Sequence, residues 1–466
     1  MDATLIKALQ LILSLSILVV LHEGGHFFFS KLFGVKVEKF FLFFDPYFHL
    51  FSTKDKWVTR LFPRLKKNET EYGVGWLPFG GYVKISGMID ESMDTEQMSK
   101  PVQSYEFRAK PAWQRLFIMI GGVLVNFLLA LVIYSMVLFA WGEQYMPMKN
   151  MTMGFNFNES AKTIGFQDGD QLVAADGVDF ERFDGTVYRT ISEAKTVTVL
   201  RNGALIDLQM PEDMNMLQML QENPPFLVPF VPSEVDTVLA GTPAYEAGIR
   251  GGCRIDAIDG KPVKCWSDFD NLMARKADVL AAGCSHEDSV RLRSLTVVYT
   301  DPVSTQTDTV ALTLTPDYKL GIVKTSMLNY YDLATNTYGF WESIPAGVRH
   351  GLSVLSGYVS DLKYMFTSEG VKNVGSFGTI GSIFPATWDW QSFWEITAFL
   401  SIMLAFMNIL PIPALDGGHV LFLLVEIITR RPPSQKFMER AQVIGMTLIF
   451  GLMLLACYND IMKFLF

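Results

Sequence analysis

The chain has 466 residues, of which 50% are hydrophobic, 13% are aromatic and only 19% are charged, a balance typical of membrane proteins. Its formal net charge of −9 argues against a nucleic-acid partner. The four cysteines contain no CxxC pair, so they indicate neither a zinc ribbon nor a disulfide framework, and packing is their simplest role. A disulfide bond between Cys265 and Cys284 is an option only if that region lies outside the cytoplasm.

The first predicted element is a transmembrane helix over residues 4–33, which carries the motif His22-Glu23-Gly24-Gly25-His26. On a helix the two histidines are one turn apart and point the same way, so both can bind one zinc ion while Glu23 flanks it as a general base. Such groups are costly in hydrocarbon unless they are paired, metal-bound or facing a wet cavity. We therefore expect an intramembrane metal site rather than a soluble helix or a decayed site.

Residues 34–112 form a loop that is rich in lysine and arginine in its first half, and the positive-inside rule places it in the cytoplasm. The N-terminus is then extracytoplasmic. Within the loop, residues 70–90 contain two strand-like runs around a Pro-Phe-Gly-Gly turn, which predicts a β-hairpin at the membrane interface or packed against the helices. An ordinary cytoplasmic hairpin is the alternative. The hairpin edge is a candidate site for an unwound peptide, and the candidate contacts are Gly80, Gly81, Tyr82 and Val83.

A charge-free apolar run predicts a second transmembrane helix over residues 113–142, which begins on the cytoplasmic side. Gly121 and Gly122 lie in its cytoplasmic half, where small residues permit close packing of another helix. Asn126 lies in the same leaflet as the zinc motif, and an asparagine in hydrocarbon needs a partner. Asn126 is therefore a candidate substrate-binding residue, with a packing role as the alternative.

Residues 143–320 regain charges and contain an internal repeat, which predicts two extracytoplasmic domains over 143–226 and 227–320. The run from Gly165 to Gly177 aligns without gaps onto the run from Gly248 to Gly260. Each copy has a Gly-x3-Gly turn, an alternating strand and an Asp-Gly turn. The pattern resembles PDZ domains of the bacterial protease type, which bind an extended peptide by strand addition. Spacer domains that only filter substrates by size are the alternative.

Residues 338–370 show apolar side chains at helical spacing among charged ones, which predicts an amphipathic helix on the outer membrane surface. A glycine-rich linker and three tryptophans typical of a membrane interface precede a third predicted transmembrane helix over residues 393–412. A basic loop follows, and residues 440–459 form the fourth predicted transmembrane helix. The C-terminus is then extracytoplasmic, like the N-terminus.

The third helix leads into Asn408-Ile-Leu-Pro-Ile-Pro-Ala-Leu-Asp416-Gly-Gly-His419, which the topology places at the same depth as the two motif histidines. A zinc ion held by two histidines needs a third protein ligand and an open position, and a carboxylate is the usual third partner. Asp416 is therefore the predicted third ligand, beside His22 and His26. A helix-capping role for Asp416 and ligation by His419 are the alternatives.

The predicted fold class is a multi-pass α-helical membrane protein with four transmembrane helices, a cytoplasmic-side membrane-associated β-hairpin and two extracytoplasmic PDZ-like α/β domains. The two zinc motifs, the tandem repeat and three further segments resemble the site-2 protease family of intramembrane zinc metalloproteases, in particular its regulator-of-sigma-E (RseP) group. Those segments are Pro78–Lys84, Phe107–Arg115 and Gly121–Asn126. Val123, where the group often has proline, and Gly375-Ser376-Phe377-Gly378, which replaces a Gly-Pro-Ile segment, depart from the pattern.

The resemblance implies a protease of the bacterial inner membrane that uses zinc to cleave single-pass membrane proteins within or near their spanning segments. Anti-sigma factors and remnant signal peptides are the substrates typical of such regulated intramembrane proteolysis. The resemblance also implies that the hairpin engages substrate and that Asn408 holds the unwound strand. Substrate, peptide ligands of the PDZ pair and membrane lipid are the expected partners. A peptide-binding scaffold without catalysis and a soluble zinc protease are the alternatives.

Overall fold

The computed structural model describes residues 2–88, 101–281, 286–315, 318–365, 367, 371 and 374–465. Cys284 and the ends of the predicted hairpin and amphipathic helix, residues 89–90, 366 and 368–370, lie outside them. The chain divides into two compact units, which we call the membrane unit, Met1–Gly142 with Thr337–Phe466, and the repeat unit, Glu143–Asn336.

The described helices are, in chain order, α1 Ala3–Leu32, α2 Lys56–Leu61, α3 Ala112–Trp141, α4 Glu159–Ile164, α5 Thr186–Glu193, α6 Met216–Gln221, α7 Pro243–Glu246, α8 Trp266–Ala281, α9 His286–Arg293, α10 Phe340–Met365, α11 Phe377–Ser382, α12 Trp390–Ile409, α13 Asp416–Thr429 and α14 Gln435–Leu465. The strands are β1 Val37–Ser52, β2 Glu71–Ile85, β3 Glu143–Pro147, β4 Phe155–Phe157, β5 Gln171–Ala175, β6 Val178–Asp179, β7 Arg182–Phe183, β8 Thr196–Arg201, β9 Ala204–Gln209, β10 Leu227–Pro229, β11 Val235–Val238, β12 Arg254–Ile258, β13 Lys261–Pro262, β14 Ser294–Thr300, β15 Thr307–Thr313, β16 Ile322–Lys324 and β17 Ala334–Asn336.

Four helices of the membrane unit are long and apolar enough to cross a membrane. Among the described residues they are α1, α3, α12 and the Lys436–Lys463 part of α14. An α-helix of about 20 apolar residues spans the hydrocarbon core, and each of the four meets that length. The prediction of four membrane helices is therefore confirmed.

Helix α3 lies at the centre of the membrane unit, and α1, α10, α12 and α13 all pack against it. Its contact with α1 is close, because a Cβ atom on Gly25 would overlap the backbone carbonyl of Gly121. Small residues allow such an approach between membrane helices, which agrees with the packing role expected of Gly121. A hydrogen bond links α12 to α3, since the Ser401 hydroxyl donates to the carbonyl of Asn126 at 2.7 Å.

Helix α10 contains most of the amphipathic pattern and packs one face against α3. A Cβ atom on Gly347 would overlap Ser135, and one on Gly351 would lie 2.6 Å from a methyl group of Leu131. The two glycines are one turn apart, so they form a flat strip on one side of α10. The helix is thus a packed part of the membrane unit, which the periodicity of its apolar residues alone does not show.

Strands β1 and β2 form a sheet of four short segments, because each strand folds back on itself. Residues 39–42 of β1 pair on one side with residues 81–84 of β2 and on the other side with residues 71–74. Residues 49–52 of β1 pair with residues 73–75. The two arms of β2 therefore do not pair with each other, as a simple hairpin over 70–90 would require. The start of β1 lies between them and leaves the Gly80–Ile85 arm at an edge of the sheet.

The linker that departs from the family pattern binds the end of α14. The carboxylate of Asp460 accepts hydrogen bonds from the backbone N–H groups of Ser376, Gly378 and Thr379 and from the hydroxyls of Ser376 and Thr379. Gln10 of α1 donates to the carbonyl of Pro385 at 2.9 Å, just after the linker. The substituted segment therefore holds the end of α14, and the stretch that follows it holds α1 through Pro385.

The two copies of the internal repeat fold alike. Their four-stranded sheets have the orders β6-β5-β8-β9 and β13-β12-β14-β15, with corresponding strands in corresponding places. Each copy also has a two-stranded pair, β4–β10 in the first and β11–β16 in the second. The Asp-Gly turns match as well: Asp176 and Asp259 have φ values of 47° and 50°, and each carboxylate accepts a backbone N–H at 2.8 Å. The sequence repeat is therefore a repeat of the fold.

We expect Asp460→Ala to lower the free energy of unfolding of the membrane unit by about 2 kcal/mol, because it leaves three backbone N–H groups of the linker without their charged acceptor. The measurement is the thermal unfolding of the full chain in detergent. Tyr458→Phe is the control, since Tyr458 is exposed and near Asp460 in sequence. Equal stability of the two variants would contradict the role given to Asp460.

Candidate metal and substrate site

Three side chains from opposite ends of the chain converge in the membrane unit. His22 and His26 lie one turn apart in α1, and Asp416 is the first residue of α13. The Nε2 atoms of the two histidines are 3.3 Å apart, and the Oδ2 atom of Asp416 lies 3.2 and 3.3 Å from them. These are the three side chains that the sequence predicts as metal ligands.

The spacing of these three atoms fits a tetrahedral zinc ion. With metal–ligand bonds of about 2.0–2.1 Å, tetrahedral geometry places neighbouring ligand atoms about 3.3 Å apart. Asp416 Oδ2 is buried and receives no hydrogen bond from the described residues, so a cation would supply the partner that it lacks. Among the described residues, His22, His26 and Asp416 form the group of at least three side chains that could hold a metal ion.

The turn before α13 positions Asp416. Pro411 and Pro413 cannot continue the hydrogen bonding of α12, so the chain leaves that helix and turns. Gly417 then packs on the end of α12, because a Cβ atom there would overlap the carbonyl of Leu410. The Asp416 side chain forms no hydrogen bond that caps α13. The capping alternative therefore does not describe its contacts in this structure.

Contacts to the Nδ1 atoms of His22 and His26, which face away from Asp416, orient both imidazoles. His26 Nδ1 lies 2.8 Å from the carbonyl of Ile118, which can only accept, so Nδ1 carries the proton and Nε2 keeps its lone pair. His22 Nδ1 lies 3.3 Å from the side-chain amide of Asn126, whose oxygen is buried without a partner. A half-turn of that amide lets its oxygen accept from Nδ1–H. Such contacts fix the tautomer of a metal-binding histidine.

Gly122 leaves the space that the two imidazoles fill. A Cβ atom at this position would lie 2.5 Å from His26 Nε2 and 2.7 Å from His22 Cε1. Both distances are shorter than a van der Waals contact between heavy atoms. Even a methyl group at Gly122 would therefore displace the side chains of His22 and His26.

A cavity of about 810 Å³ surrounds the three side chains, and it brings together most of the residues singled out in the sequence. Glu23 lies on its wall, and the backbone N–H of Val83 faces its carboxylate. Asn408 also lines the cavity. The other predicted site residues on its wall are Gly80, Gly81, Tyr82, Val83 and Asn126.

Two residues on the cavity wall have contacts that bear on their predicted roles. Asn126 is completely buried, and its amide touches His22, which places it behind a ligand. His419 lies one turn after Asp416 and is not part of the three-ligand group.

The cavity is also lined by four polar residues that were not predicted as site residues from the sequence, namely Lys39, Asp45, Lys84 and Gln442. Asp45 accepts a hydrogen bond from the Tyr82 hydroxyl at 3.0 Å. Gln442 lies inside the apolar run of the fourth predicted span, and a polar residue at such a position is a signal that would have identified it. Lys39 and Asp45 belong to β1, which the sequence analysis treated as loop.

Comparisons with known proteins agree with this geometry. The profile described as Peptidase family M50 matches residues 10–452. A Vibrio cholerae protein whose name includes the words "zinc metalloprotease" is 27% identical over 480 residues, which cover 96% of this chain and 97% of that protein. The Regulator of sigma-E protease RseP of Escherichia coli K12 is 26% identical over 477 residues, with coverage of 96% and 97%. The Salmonella typhimurium protein of the same name is also 26% identical, over 478 residues.

We expect Gly122→Ala to lower zinc affinity by at least about tenfold, since changes that disturb the orientation of metal ligands typically cost 10- to 100-fold. The measurement is metal analysis of the purified full chain after dialysis against graded concentrations of a chelator. Gly24→Ala is a matched control in the zinc motif itself, because a Cβ atom there would meet nothing within 4 Å. A Gly122→Ala protein that retains zinc like the control would show that the imidazoles do not need this space.

Proposed function

The chain belongs to peptidase family M50 and is a zinc metalloprotease, and we propose that it cleaves single-pass membrane proteins within or beside their transmembrane segments. The observation that carries the proposal is the convergence of His22, His26 and Asp416 on helices of the membrane unit. A peptidase site among transmembrane helices is within reach of peptide bonds that a soluble protease cannot approach. This position favours an intramembrane protease over a soluble one.

We assign His22, His26 and Asp416 as the zinc ligands. Zinc bound by them would supply a Lewis acid that polarises the scissile carbonyl and activates water. Glu23 is the proposed general base: it takes the proton from the attacking water and passes it to the leaving amine. Its place on the wall of the same cavity supports this role. Asn126 would hold the His22 ring rather than the substrate, because its amide lies against that ring.

A helical peptide bond is shielded by its own hydrogen bonds, so the substrate must be opened before hydrolysis. We propose that the opened strand adds to the Gly80–Ile85 edge of the sheet. Among the strands of the described residues, this arm pairs with β1 on one side, and it borders the cavity that contains Glu23. Backbone pairing to a strand edge holds a peptide whatever its side chains. Asn408, on the same cavity wall, is the proposed side-chain partner of that strand.

We propose an orientation in a bacterial inner membrane with both termini outside and the metal site toward the cytoplasm. The lysines and arginines between α1 and α3 support it through the positive-inside rule. The repeat unit is then extracytoplasmic. The resemblance to the regulator-of-sigma-E group, whose name two of the relatives carry, leads us to propose anti-sigma factors and remnant signal peptides as substrate classes.

The two repeat copies, which we propose are PDZ-type domains, differ at the strand edge where such a domain would take up a peptide. In β10 the carbonyl of Phe226 points toward β4, since it accepts a hydrogen bond from the Asn158 N–H. Backbone groups of successive strand residues point to opposite sides, so those of Leu227 and Pro229 point away from β4, to the open edge. The Leu227 carbonyl already accepts from the Tyr188 hydroxyl at 2.7 Å, and Pro229 has no N–H. The first copy is therefore closed to strand addition.

In the second copy the corresponding edge is free. Leu239 N–H donates to the carbonyl of Gly321, so the backbone groups of Gly321 point toward β11. Those of the next residue, Ile322, then point away from β11, to the open edge. No side chain of the described residues forms a hydrogen bond to that backbone. An ion pair between Lys324 and Asp270 connects β16 with α8, which borders the edge. We propose that the second copy binds peptide and that the first serves as a spacer.

We expect Glu23→Gln to insert in membranes and bind zinc like the wild type but to cleave a model transmembrane substrate at least about 100-fold more slowly, the usual contribution of a general base. The measurement is the rate of fragment formation in proteoliposomes, with zinc content determined on the same samples. Glu69→Gln, at an exposed position outside the cavity, is the control. A Glu23→Gln protein that cleaves like the control would favour the scaffold alternative.

We expect peptides selected by display against the full chain to slow amide hydrogen exchange at Ile322 and to leave Leu227 unchanged. Ile322→Pro removes an outward N–H and should weaken the binding of these peptides about tenfold. Peptides that protect β10 instead, or that bind Ile322→Pro as tightly as the wild type, would contradict the division of roles between the copies.

A further inference from the structure

Gln442 of α14 brings a side-chain amide into the cavity of the metal site. The residue is only 5% exposed, and it lines the same cavity as His22, Asp416 and Asn408. Its amide forms no hydrogen bond with any described residue. Its amide nitrogen and oxygen are not completely enclosed, which agrees with a position on the cavity wall.

The packing of α14 fixes this position. Gly445 lies one turn after Gln442, and a Cβ atom on Gly445 would overlap the carbonyl of Pro413. Residues three apart in a helix share a face, so Gln442 faces the turn between Asn408 and Asp416. The backbone contact at Gly445 leaves α14 little freedom to move Gln442 away from the site.

An amide without partners is costly inside a membrane, where an unpaired polar group loses its hydration without compensation. A polar residue at this depth that faces a cavity is therefore a candidate for binding what enters the cavity. Asn408 is in the same situation, because its amide also forms no hydrogen bond with the described residues. Two amides with unused donors and acceptors thus border one cavity.

An opened peptide strand has the matching chemistry. One edge of such a strand would pair with the Gly80–Ile85 arm of β2, and its other edge would present N–H and C=O groups in hydrocarbon. A glutamine amide offers two donors and an acceptor, so it can pair with either kind of group whatever the side chains of the strand. We propose that Gln442 is a substrate-binding residue that forms a hydrogen bond with the backbone of the opened substrate strand. This inference rests on the proposed intramembrane cleavage.

The test combines Gln442→Met, which keeps the length of the side chain but has no amide, with synthetic transmembrane substrates in which single peptide bonds are replaced by esters. An ester removes one backbone N–H and weakens the carbonyl acceptor next to it. Cleavage is measured in proteoliposomes, with zinc content determined in parallel. We expect Gln442→Met to bind zinc normally and to cleave the all-amide substrate roughly 3- to 10-fold more slowly than the wild type, the range of one hydrogen bond.

The informative result is whether the ester slows cleavage by the wild type more than it slows cleavage by Gln442→Met. At the ester position that faces Gln442, the wild type should lose the same roughly 3- to 10-fold, while Gln442→Met should lose nothing further. A residue that only supports the fold would show equal ester effects in both enzymes. Thr447→Val, which removes a polar group from the exposed side of the same helix, is the control and should cleave like the wild type.

Gln442→Met activity equal to the wild type, or ester effects that are the same in both enzymes at every position, would overturn the inference and leave the proposed function intact. A wild-type protein that cleaves no transmembrane substrate would overturn both. If Gln442→Met does not fold, Gln442→Asn gives the same comparison, because a shortened amide that no longer reaches the substrate should also lose the coupling to the ester.

Discussion

The structure depends on one geometric constraint, which is that three atoms able to bind a metal ion, contributed by opposite ends of the chain, lie 3.2–3.3 Å apart inside the membrane unit. To meet it, α1 and α13 must both approach α3 at the same depth. Gly25 and Gly121 bring two helix backbones into contact, and Gly122 leaves room for both imidazoles. Packing density in a protein interior is high enough that one methyl group at these positions has nowhere to go. Gly25, Gly121 and Gly122 are therefore as necessary to this geometry as the three side chains are.

Hydrogen bonding separates the polar residues of the membrane unit into two classes. The first class has a hydrogen-bond partner within the protein and is called occupied. Asn126 contacts His22, the Ile118 carbonyl contacts His26, and Asp460 contacts the linker after α10. Asn408 and Gln442 are unoccupied and border the cavity. In hydrocarbon an occupied group stabilises the protein, whereas an unoccupied group costs free energy until something binds it. The contrast supports a positioning role for Asn126 and a substrate-binding role for the other two.

Much of this arrangement could be predicted from the sequence, because its main signals are local or periodic. Apolar run length predicts the four membrane helices, and loop charge predicts that His22, His26 and Asp416 share a depth. The pairing of β1 with both arms of β2 could not be predicted, since strand partners depend on long-range packing and β1 lacks the alternation of a half-buried strand. Gln442 escaped notice because a single glutamine hardly changes the hydropathy of a span. Its significance depends on which helix it faces, and that is set by the contact of Gly445 with Pro413.

The proposed substrate contacts have a consequence for specificity. The lining of the cavity includes a strand edge and the amides of Asn408 and Gln442. In their proposed roles all of these groups would bind peptide backbone, which is the same for every substrate. Hydrogen bonds to backbone cannot distinguish one transmembrane sequence from another, so these contacts leave discrimination to other steps, including those before the strand reaches the cavity. The free energy needed to unwind the substrate helix is one such step, and it is smaller for sequences rich in glycine, proline or β-branched residues. Peptide binding by the proposed PDZ-type domains would be another. A protease built in this way would cleave many unrelated spans once they are unfolded and admitted, and its regulation would lie in admission rather than in chemistry.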